Sequence, residues 1–404
     1  MFHKLVSPNL LPTFSKDDYL LSLKTLLSPH KFFQTEAKKQ VEAWFKNRYP
    51  SYHVVLALSG RSLLEVYLKS LNLPLGSQVL VQALTCSVVP GAIIKSELKP
   101  VFVDVTDTFN MDTADLIKKI TPLAKVLIIQ HSFGHPDNIV KIKSICQKHK
   151  LILIEDCAHC LGVNYSGQPL GSFGDASFFS FGRDKVISSV WGGALLVKDK
   201  SIYQKINQTK FVNKNIFWVS QQLLYPSIIF LVTNLYSFAS IGKIIHYISQ
   251  KTGLITKAVS FQDKNLIDTP LYSYPNQLAI LALNQLNKLD RLLDNRRTLA
   301  KSYSQIFDKK YYPSSGYLRY SLLVKDKSKF IDLLKKSNII VGDWYYQPVI
   351  PDINLSKFGY NKGSCPHAEL ISQSIINLPT NPSLSQIDTN RLLSSIKHAK
   401  NHSN

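Results

Sequence analysis

The chain has 404 residues, of which 45% are hydrophobic and 19% are charged, with 17 glycines and 19 prolines. This composition excludes a disordered, collagen-like or coiled-coil protein and is ample for a large globular unit or two domains. The 48 Lys and Arg residues exceed the 27 Asp and Glu residues by 21, which favours anionic partners: phosphorylated small molecules, nucleic acid or an acidic membrane surface. The five cysteines are too few for a disulfide framework, and the first residues lack a signal peptide's apolar run. We therefore expect a cytoplasmic protein.

Short β-rich runs alternate with helical patterns between about residues 50 and 200. The runs are 53–58, 77–82, 100–105, 125–131, 151–157, 176–181 and 193–198. Several are apolar almost throughout, as strands buried on both faces must be, and helical stretches such as 61–71 and 139–150 lie between them. This alternation predicts an α/β fold with a mostly parallel sheet covered by helices. Active-site residues in such folds follow the carboxyl ends of the strands.

A long helical pattern begins at about residue 276 and leads into a smaller α/β segment. The predicted elements of that segment are a strand at 317–324, a helix at 328–336, and a strand, a turn and the cap of a final helix within 376–386. We predict an N-terminal segment and large domain over residues 1–275. A connecting helix and a small C-terminal domain would then occupy residues 276–404.

Three polar segments follow predicted strands. Residues 59–62, Ser-Gly-Arg-Ser, open a helix, where backbone N–H groups and the helix dipole attract an anion, although an ordinary N-capped helix has the same pattern. Asp156 ends the most hydrophobic strand, where a carboxylate needs a positive partner. Lys185 lies in the loop before the last strand. Together they supply what pyridoxal phosphate needs: a Schiff-base lysine, a carboxylate for the pyridinium nitrogen and anion donors for the phosphate.

The segment 154–197 resembles the central motif of the pyridoxal-phosphate-dependent sugar aminotransferases of the DegT/DnrJ/StrS type. The spacing from Ser180 to Lys185, and from Lys185 to the pair Gly192-Gly193, matches that family's pattern. Other similar segments are LSGRSLLEVYL, KPVFVDV, IIQHSFGHP, LNQLNKLDRLLDNRR and INLPTNPSLS.

This resemblance implies fold type I of the pyridoxal-phosphate-dependent transferases, with a seven-stranded sheet in the large domain. It also implies a homodimer whose active sites form between two subunits. The implied reaction moves an amino group, usually from glutamate, to a nucleotide-linked keto-sugar, in cell-surface polysaccharide or secondary-metabolite sugar biosynthesis.

The resemblance also implies roles for individual residues. Lys185 would form the Schiff base and move the proton, and Asp156 would hold the pyridine nitrogen protonated. His159 takes the family's position near the phenolic oxygen of the ring. Ser180 would bind the phosphate together with the start of the helix at Gly60, Arg61 and Ser62. A lysine rather than a histidine at 185 argues against the family's sugar-dehydratase branch.

Two positions depart from the family pattern. The aromatic residue that stacks on the pyridoxal ring aligns with Cys86, and Phe133 is a candidate to replace it. The motif donated across the dimer falls on Leu271-Tyr272-Ser273, so that contact is absent or rebuilt, and Arg61 is a candidate for the missing positive charge. The candidates for substrate contact are His131, Phe133, Trp344 and Tyr345, although core packing is an alternative for the last two.

An insertion at about 205–262 is a third departure. Residues 215–242 carry no charge, whereas 201–262 contain six lysines and no Asp or Glu. An apolar helix with basic flanks is typical of an anchor on an anionic lipid surface, and its length would also allow a membrane span. A helical hairpin that covers the active site or the dimer interface fits the same pattern. The interpretations of 215–242 as a hairpin, as a peripheral membrane contact on the inner face and as a span stay open.

Other functions remain open on the sequence. A related protein could bind the cofactor without turnover, or act at the membrane on a non-sugar or lipid-linked acceptor. A metal enzyme would use the side chains of His131, His135, Asp156 and His159. However, Gly134 and Pro136 favour a turn at that point, and Cys157 and Cys160 lack the second pair of a zinc site, so we expect no metal. Nucleic-acid binding rests on net charge alone, and we expect none.

Overall fold

A computed structural model describes residues 4–28, 34–256, 270–351 and 354–403. Its helices are α1 (Lys16–Leu26), α2 (Glu36–Arg48), α3 (Gly60–Ser70), α4 (Val88–Lys95), α5 (Thr113–Lys119), α6 (Ile139–His149), α7 (Lys200–Asn207), α8 (Ile216–Asn234), α9 (Ile241–Lys251), α10 (Asn276–Leu286), α11 (Leu289–Phe307), α12 (Lys327–Lys335), α13 (Pro366–Ser374) and α14 (Gln386–Ser403). Its strands are β1 (His53–Ala57), β2 (Gln78–Gln82), β3 (Thr85–Cys86), β4 (Lys99–Val103), β5 (Ala124–Gln130), β6 (Ile152–Asp156), β7 (Asn164–Tyr165), β8 (Gln168–Pro169), β9 (Ala176–Ser180), β10 (Gly193–Val197), β11 (Tyr320–Leu323), β12 (Val349–Ile350) and β13 (Ile375–Leu378).

Seven strands form one large sheet in the order β1-β10-β9-β6-β5-β2-β4. Strand β10 runs antiparallel to both of its neighbours, and the other pairings in this sheet are parallel. These seven strands are the seven runs predicted from the sequence, with ends that agree within two residues. The prediction of a mostly parallel seven-stranded sheet is therefore confirmed.

Helices cover both faces of this sheet. Along β1, Val54 and Leu56 pack in the core on one face, whereas Val55 and Ala57 pack in the core on the other. Successive side chains of a strand point to opposite faces, so a strand covered on both sides must be apolar at every position. This is why the strand runs are apolar almost throughout.

A smaller α/β unit contains the antiparallel pair β11 and β13. Its core includes Tyr303 of α11, Phe330 of α12 and Leu392 of α14, all buried. The strand predicted at 317–324 is shortened to four residues, because the Leu318 N–H donates to the Phe133 carbonyl in the large unit at 2.8 Å instead of joining the strand pair.

The long helical pattern predicted from residue 276 is two helices, α10 and α11, with a break at Asn287 and Lys288. The Lys288 backbone leaves the helical region at φ −120°. Its ammonium lies 2.8 Å from an Asp17 oxygen and 2.6 Å from an Asp18 oxygen, both in α1. Apolar periodicity continues across the break, so the sequence pattern does not reveal it.

Two helices of the insertion, α8 and α9, follow one another, and residues 257–262 lie outside the described ranges. Helix α8 packs against α1, where the Ser22 hydroxyl donates to the Leu223 carbonyl at 2.6 Å and the rings of Tyr19 and Phe230 lie 5.1 Å apart. Among the described helices, α8 is long and apolar enough to cross a membrane, but half of its most apolar window is buried inside the protein. This packing agrees with the hairpin interpretation.

Candidate active site

Four strand ends bring the predicted site residues to one edge of the large sheet. Asp156 ends β6, and Ser180 ends β9 beside it. His131 follows β5, and Gly60 begins α3 shortly after β1. The carboxyl ends of parallel strands meet at one edge of a sheet, which is where α/β proteins bind their ligands. These residues therefore come together at the strand ends, which is the location that the sequence predicts for the site.

Lys185 lies in the loop after β9 with its amine held by polar neighbours. The Nζ atom is 3.3 Å from Nε2 of His159, 3.8 Å from Oδ1 of Asp184 and 5.6 Å from the centre of the Trp344 ring. Its backbone carbonyl accepts a hydrogen bond from the Thr13 hydroxyl at 3.0 Å. The side chain is 14% exposed. The amine is thus oriented by its surroundings and still reachable by a small molecule.

His159 presents a defined hydrogen-bonding face to that amine. The Phe133 backbone N–H donates to Nδ1 of His159 at 3.3 Å, so the neutral ring carries its proton on Nε2, the atom that faces Lys185. Burial, followed by the nearby charges of Lys185 and Arg319, lowers the pKa of His159 well below its usual range. The Phe133 ring lies parallel to His159 within 10°, with centres 6.0 Å apart. His159 is therefore a neutral donor at Nε2.

Asp156 is a buried carboxylate, only 5% exposed. Burial raises its pKa to about 6, although the Ala158 N–H at 3.0 Å and the charges of Lys185 and His131 act in the opposite direction. A carboxylate in this position is stabilised by a cation placed against it. A protonated ring nitrogen is a cation of suitable shape and charge.

The start of α3 lies directly beside the strand that carries Ser180. Ser59 caps the helix, since its hydroxyl accepts the Ser62 N–H at 3.2 Å. Ser180 pairs with Gly193 of β10, and a Cβ added to Gly193 would come within 2.6 Å of the Gly60 nitrogen. Glycine thus allows the helix start to approach the strand end, where the Ser180 hydroxyl and the helix dipole converge.

Arg61 and Cys86, two residues involved in the departures from the family pattern, lie near this edge of the sheet. Arg61 is half-buried and makes no hydrogen bond or ion pair within the described part of the chain. The Cys86 side chain is half-buried, and burial raises the pKa of its thiol, which keeps it neutral. The segment 271–273 lies beside the start of α3, because the Leu58 N–H donates to the Tyr272 carbonyl at 3.0 Å.

The four candidates for substrate contact differ in accessibility. Trp344 is half-buried beside Lys185. Phe133 and Tyr345 are each 1% exposed, and the Tyr345 hydroxyl accepts a hydrogen bond from the Gln130 amide at 3.1 Å. His131 is fully buried. Contact with substrate stays a prediction for all four, and burial gives no support to it for His131, Phe133 and Tyr345.

The histidines considered for a metal enzyme bind separate partners. His131 contacts Glu155 at 3.2 Å, and His135 contacts the Ser315 hydroxyl at 2.7 Å. Among the described residues, the group with metal-ligand geometry is instead His131, Cys157 and Cys160, whose ligand atoms lie within 4.8 Å of one another. However, the His131 ring has both nitrogens engaged, by Glu155 and by the Asp137 N–H at 3.1 Å.

Sequence reasoning missed an ion pair beside Lys185. Nη2 of Arg319 donates to Oδ2 of Asp184 at 2.7 Å, and the Arg319 side chain is 3% exposed. Burial alone would raise the pKa of Asp184, but Lys185 and Arg319 lower it below its usual range. Two signals were available: a carboxylate directly before the candidate lysine, and an arginine inside the apolar run YLRYSLLV.

The assembled residues fit pyridoxal phosphate. Lys185 supplies an accessible amine, and Asp156 supplies a buried carboxylate for the ring nitrogen. The Ser180 hydroxyl and the backbone N–H groups at the start of α3 would be the donors for the phosphate. Asp156 pairs with Phe178, two residues before Ser180, so the groups for the nitrogen and for the phosphate lie on adjacent strands. The donor set therefore matches a ring with a basic nitrogen and a phosphate arm.

Comparison with known proteins agrees with this geometry. The sequence profile of the DegT/DnrJ/EryC1/StrS aminotransferase family matches residues 15–218 and 273–397, so the interval left out falls mostly in the insertion. GDP-perosamine synthase of Escherichia coli O157:H7 is 34% identical over 166 residues, which span 40% of this chain and 46% of that protein.

Solved structures share the fold over nearly the whole chain. Helicobacter pylori PseC, an aminotransferase of pseudaminic acid biosynthesis, has a TM-score of 0.73 at 19% identity and covers 99% of both chains. A Streptococcus pneumoniae protein solved in its pyridoxal phosphate form has a TM-score of 0.72 at 20% identity, over 100% of this chain and 99% of that one. From the profile match, the chain belongs to the DegT/DnrJ/EryC1/StrS aminotransferase family, and it is an aminotransferase with pyridoxal 5′-phosphate as its cofactor.

Proposed function

We propose that the chain transfers an amino group from an amino acid, with L-glutamate as the expected donor, to a keto-sugar carried on a nucleotide. The observation that carries this proposal is the position of the Lys185 amine, 3.3 Å from neutral His159 on the same sheet edge as Asp156. The similarity to GDP-perosamine synthase supports a nucleotide-linked sugar as the acceptor. A homodimer, the assembly that the family resemblance implies, is part of the proposal.

The position of each residue indicates the role that it would have in the reaction. When bound, the cofactor would supply an aldehyde carbon that is reactive toward amines and a ring that withdraws electrons. Lys185 would hold the cofactor through Nζ and would serve as the group that moves a proton at the reacting carbon. Nε2 of His159 lies 3.3 Å from that amine and helps to fix its position. Asp156 holds the ring nitrogen protonated, and Ser180 with the start of α3 holds the phosphate.

The acceptor half of the proposal is tested with the cofactor in its aminated form. The enzyme is loaded with pyridoxamine 5′-phosphate and mixed with GDP-linked and UDP-linked keto-sugars, and the product is identified by mass spectrometry. We expect an amino-sugar nucleotide and recovery of the pyridoxal form. A cofactor-binding protein without turnover would give no product with any acceptor, although it would bind both cofactor forms.

We further propose that the protein acts in the cytoplasm and that its insertion rests on the inner membrane surface. Within 215–242, Phe217 is 82% exposed, and Phe230 and Leu231 are each more than 40% exposed. Helix α9 adds an apolar stripe at helical spacing, formed by Ile244, Tyr247 and Ile248, each more than half exposed.

The charges near this surface favour an anionic lipid layer over a second copy of the chain. Residues 201–262 contain six lysines and no acidic residue, and Lys243 and Lys251 flank the stripe of α9. A two-fold interface brings the same patch of both subunits together, so these lysines would repel one another. Anionic headgroups would attract them and accept the apolar side chains at the interface.

Flotation with lipid vesicles tests this contact. We expect the protein to float with phosphatidylglycerol vesicles and not with phosphatidylcholine vesicles. Binding should be lost in Ile244→Asp and kept in Ile117→Asp, which adds the same charge at an exposed apolar position of α5. Absence of flotation, together with a dimer that Ile244→Asp converts to a monomer, would instead assign the surface to subunit contact.

A further inference from the structure

Arg319 has a buried guanidinium that is only partly satisfied. Its Nη2 atom donates to Asp184 at 2.7 Å and to the Asn9 side-chain oxygen at 2.9 Å. Its Nη1 atom is buried and has no hydrogen-bond partner among the described residues. A buried donor without an acceptor is costly, and more so on a charged group. An acceptor brought by a ligand would satisfy it.

The position of Arg319 places such a ligand at the reacting centre. Asp184 is shared, since its carboxylate lies 2.7 Å from Arg319 and 3.8 Å from the Lys185 amine. The Trp344 ring lies close to both cationic groups, 5.0 Å from the guanidinium carbon and 5.6 Å from the amine. A Cβ at Gly342 would come within 3.1 Å of Nη1, so glycine lets the guanidinium pack closely against this segment.

The chemistry of an amino-acid substrate indicates which group would bind Nη1 of Arg319. In an α-amino acid the carboxylate is attached to the carbon that carries the amine. A donor whose nitrogen replaces that of Lys185 therefore brings its α-carboxylate within a few ångströms of the same point. The diphosphate of a nucleotide sugar is separated from the reacting carbon by the sugar itself, and a side chain only 3% exposed is poorly placed for it.

We propose that Arg319 binds the α-carboxylate of the amino-acid donor through Nη1, with Asp184 and Asn9 holding the guanidinium in position. This inference rests on the proposed function and names the residue that recognises the donor. Asp184 is a positioning residue, since it acts through Arg319 and Lys185.

The test compares two donors that differ in the α-carboxylate. L-glutamate and 4-aminobutyrate are titrated against cofactor-loaded enzyme, and conversion to the pyridoxamine form is followed by absorbance. We expect Arg319→Met to raise the glutamate concentration for half-maximal rate by roughly 10- to 100-fold, as loss of a charged hydrogen bond does. The reaction with 4-aminobutyrate, which has no α-carboxylate, should be slowed by a much smaller factor. Arg291→Met, an exposed arginine of α11, should match the wild type with both donors.

Two further measurements separate the alternatives. Binding of glutarate to the loaded protein, measured by calorimetry, should weaken in Arg319→Met, whereas binding of UDP should not. If UDP binding is lost and glutamate titration is unchanged, the residue serves the acceptor and the inference is wrong. If wild-type enzyme does not convert with glutamate at all, the proposed donor fails before Arg319 is tested.

Arg319→Lys keeps the positive charge and replaces Arg319→Met in the test if Arg319→Met does not fold. Arg319→Lys should retain the cofactor absorbance while weakening glutamate alone, because an ammonium lacks the second nitrogen of the fork. Equal losses with glutamate and 4-aminobutyrate in Arg319→Lys would contradict carboxylate recognition.

Discussion

The guanidinium carbon of Arg183 lies 3.8 Å from the centre of the Tyr225 ring. Arg183 stands two residues before Lys185, and Tyr225 lies in the middle of α8, so this contact joins the insertion to the loop that carries Lys185. The same guanidinium donates to the carbonyl and the hydroxyl of Thr256, both at 2.6 Å. The insertion is therefore part of the structural support of the active site.

Removal of the Arg183 charge should loosen that support. We expect Arg183→Met to lower the free energy of unfolding by about 2–4 kcal/mol, because a desolvated cation–π contact and two charged hydrogen bonds are lost. Urea unfolding of the cofactor-free protein measures the change. Arg291→Met serves as the matched control and should stay within about 0.5 kcal/mol of the wild type. Equal stabilities of the two variants would show that the insertion does not support this loop.

The close packing of the start of α3 against β10 leads to a second prediction. A Cβ at Gly193 would lie 2.6 Å from the Gly60 nitrogen and 2.7 Å from the Phe179 carbonyl oxygen. Gly193→Ala should therefore displace the start of α3 and weaken cofactor binding by at least about tenfold, a loss of about 1.4 kcal/mol. Absorbance titration with pyridoxal phosphate measures the affinity.

Gly182→Ala is the control for that change. Its Cβ would meet the Ser180 hydroxyl at 3.4 Å and Lys185 at 3.6 Å, which are ordinary contacts. We expect it to bind the cofactor much more tightly than Gly193→Ala does. The opposite order of affinities would argue that the start of α3 does not hold the phosphate.

The raised pKa of Asp156 makes stability depend on pH in the cofactor-free protein. Burial raises this pKa to about 6, so the folded state holds a proton more tightly than the unfolded state does. Asp156 therefore destabilises the fold above pH 6, and this effect fades as pH falls from 6 toward 4. Asp156→Asn changes the free energy of unfolding of the cofactor-free protein. This change should be more favourable at pH 7.5 than near pH 4, by up to about 3 kcal/mol.

Urea unfolding at several pH values between 4 and 7.5 tests this dependence. A constant difference between Asp156→Asn and the wild type across that range would contradict a buried, weakly partnered carboxylate. The same variant with added cofactor should lose its advantage at pH 7.5, because the protonated ring nitrogen would then stabilise the wild-type carboxylate.

Much of the fold follows from local sequence patterns, and the remainder depends on contacts between distant segments. The strands of the large sheet are apolar on both faces, so their runs are visible in the sequence. The break before α11 is not, because it depends on Lys288 meeting Asp17 and Asp18 far away in the chain. The division of the chain at residue 275 stays a prediction.

The same distinction applies to the site. The sequence predicts Asp156 and Lys185 because Asp156 ends one strand, Lys185 lies in the loop after another, and their spacing resembles the family pattern. It does not predict Arg319, because the link of that residue to Asp184 spans 135 positions of the sequence. The apolar surface of the insertion was recognised by composition, but which of its side chains are buried against α1 depends on packing.

One absorbance measurement tests the central claim most directly. Purified protein with added pyridoxal phosphate is recorded before and after addition of L-glutamate, beside Lys185→Ala. We predict that the band of the Lys185-bound cofactor converts to that of the pyridoxamine form in the wild type, and that the variant never shows the starting band. A protein with no such band, or a Lys185→Ala variant that behaves like the wild type, would contradict the account.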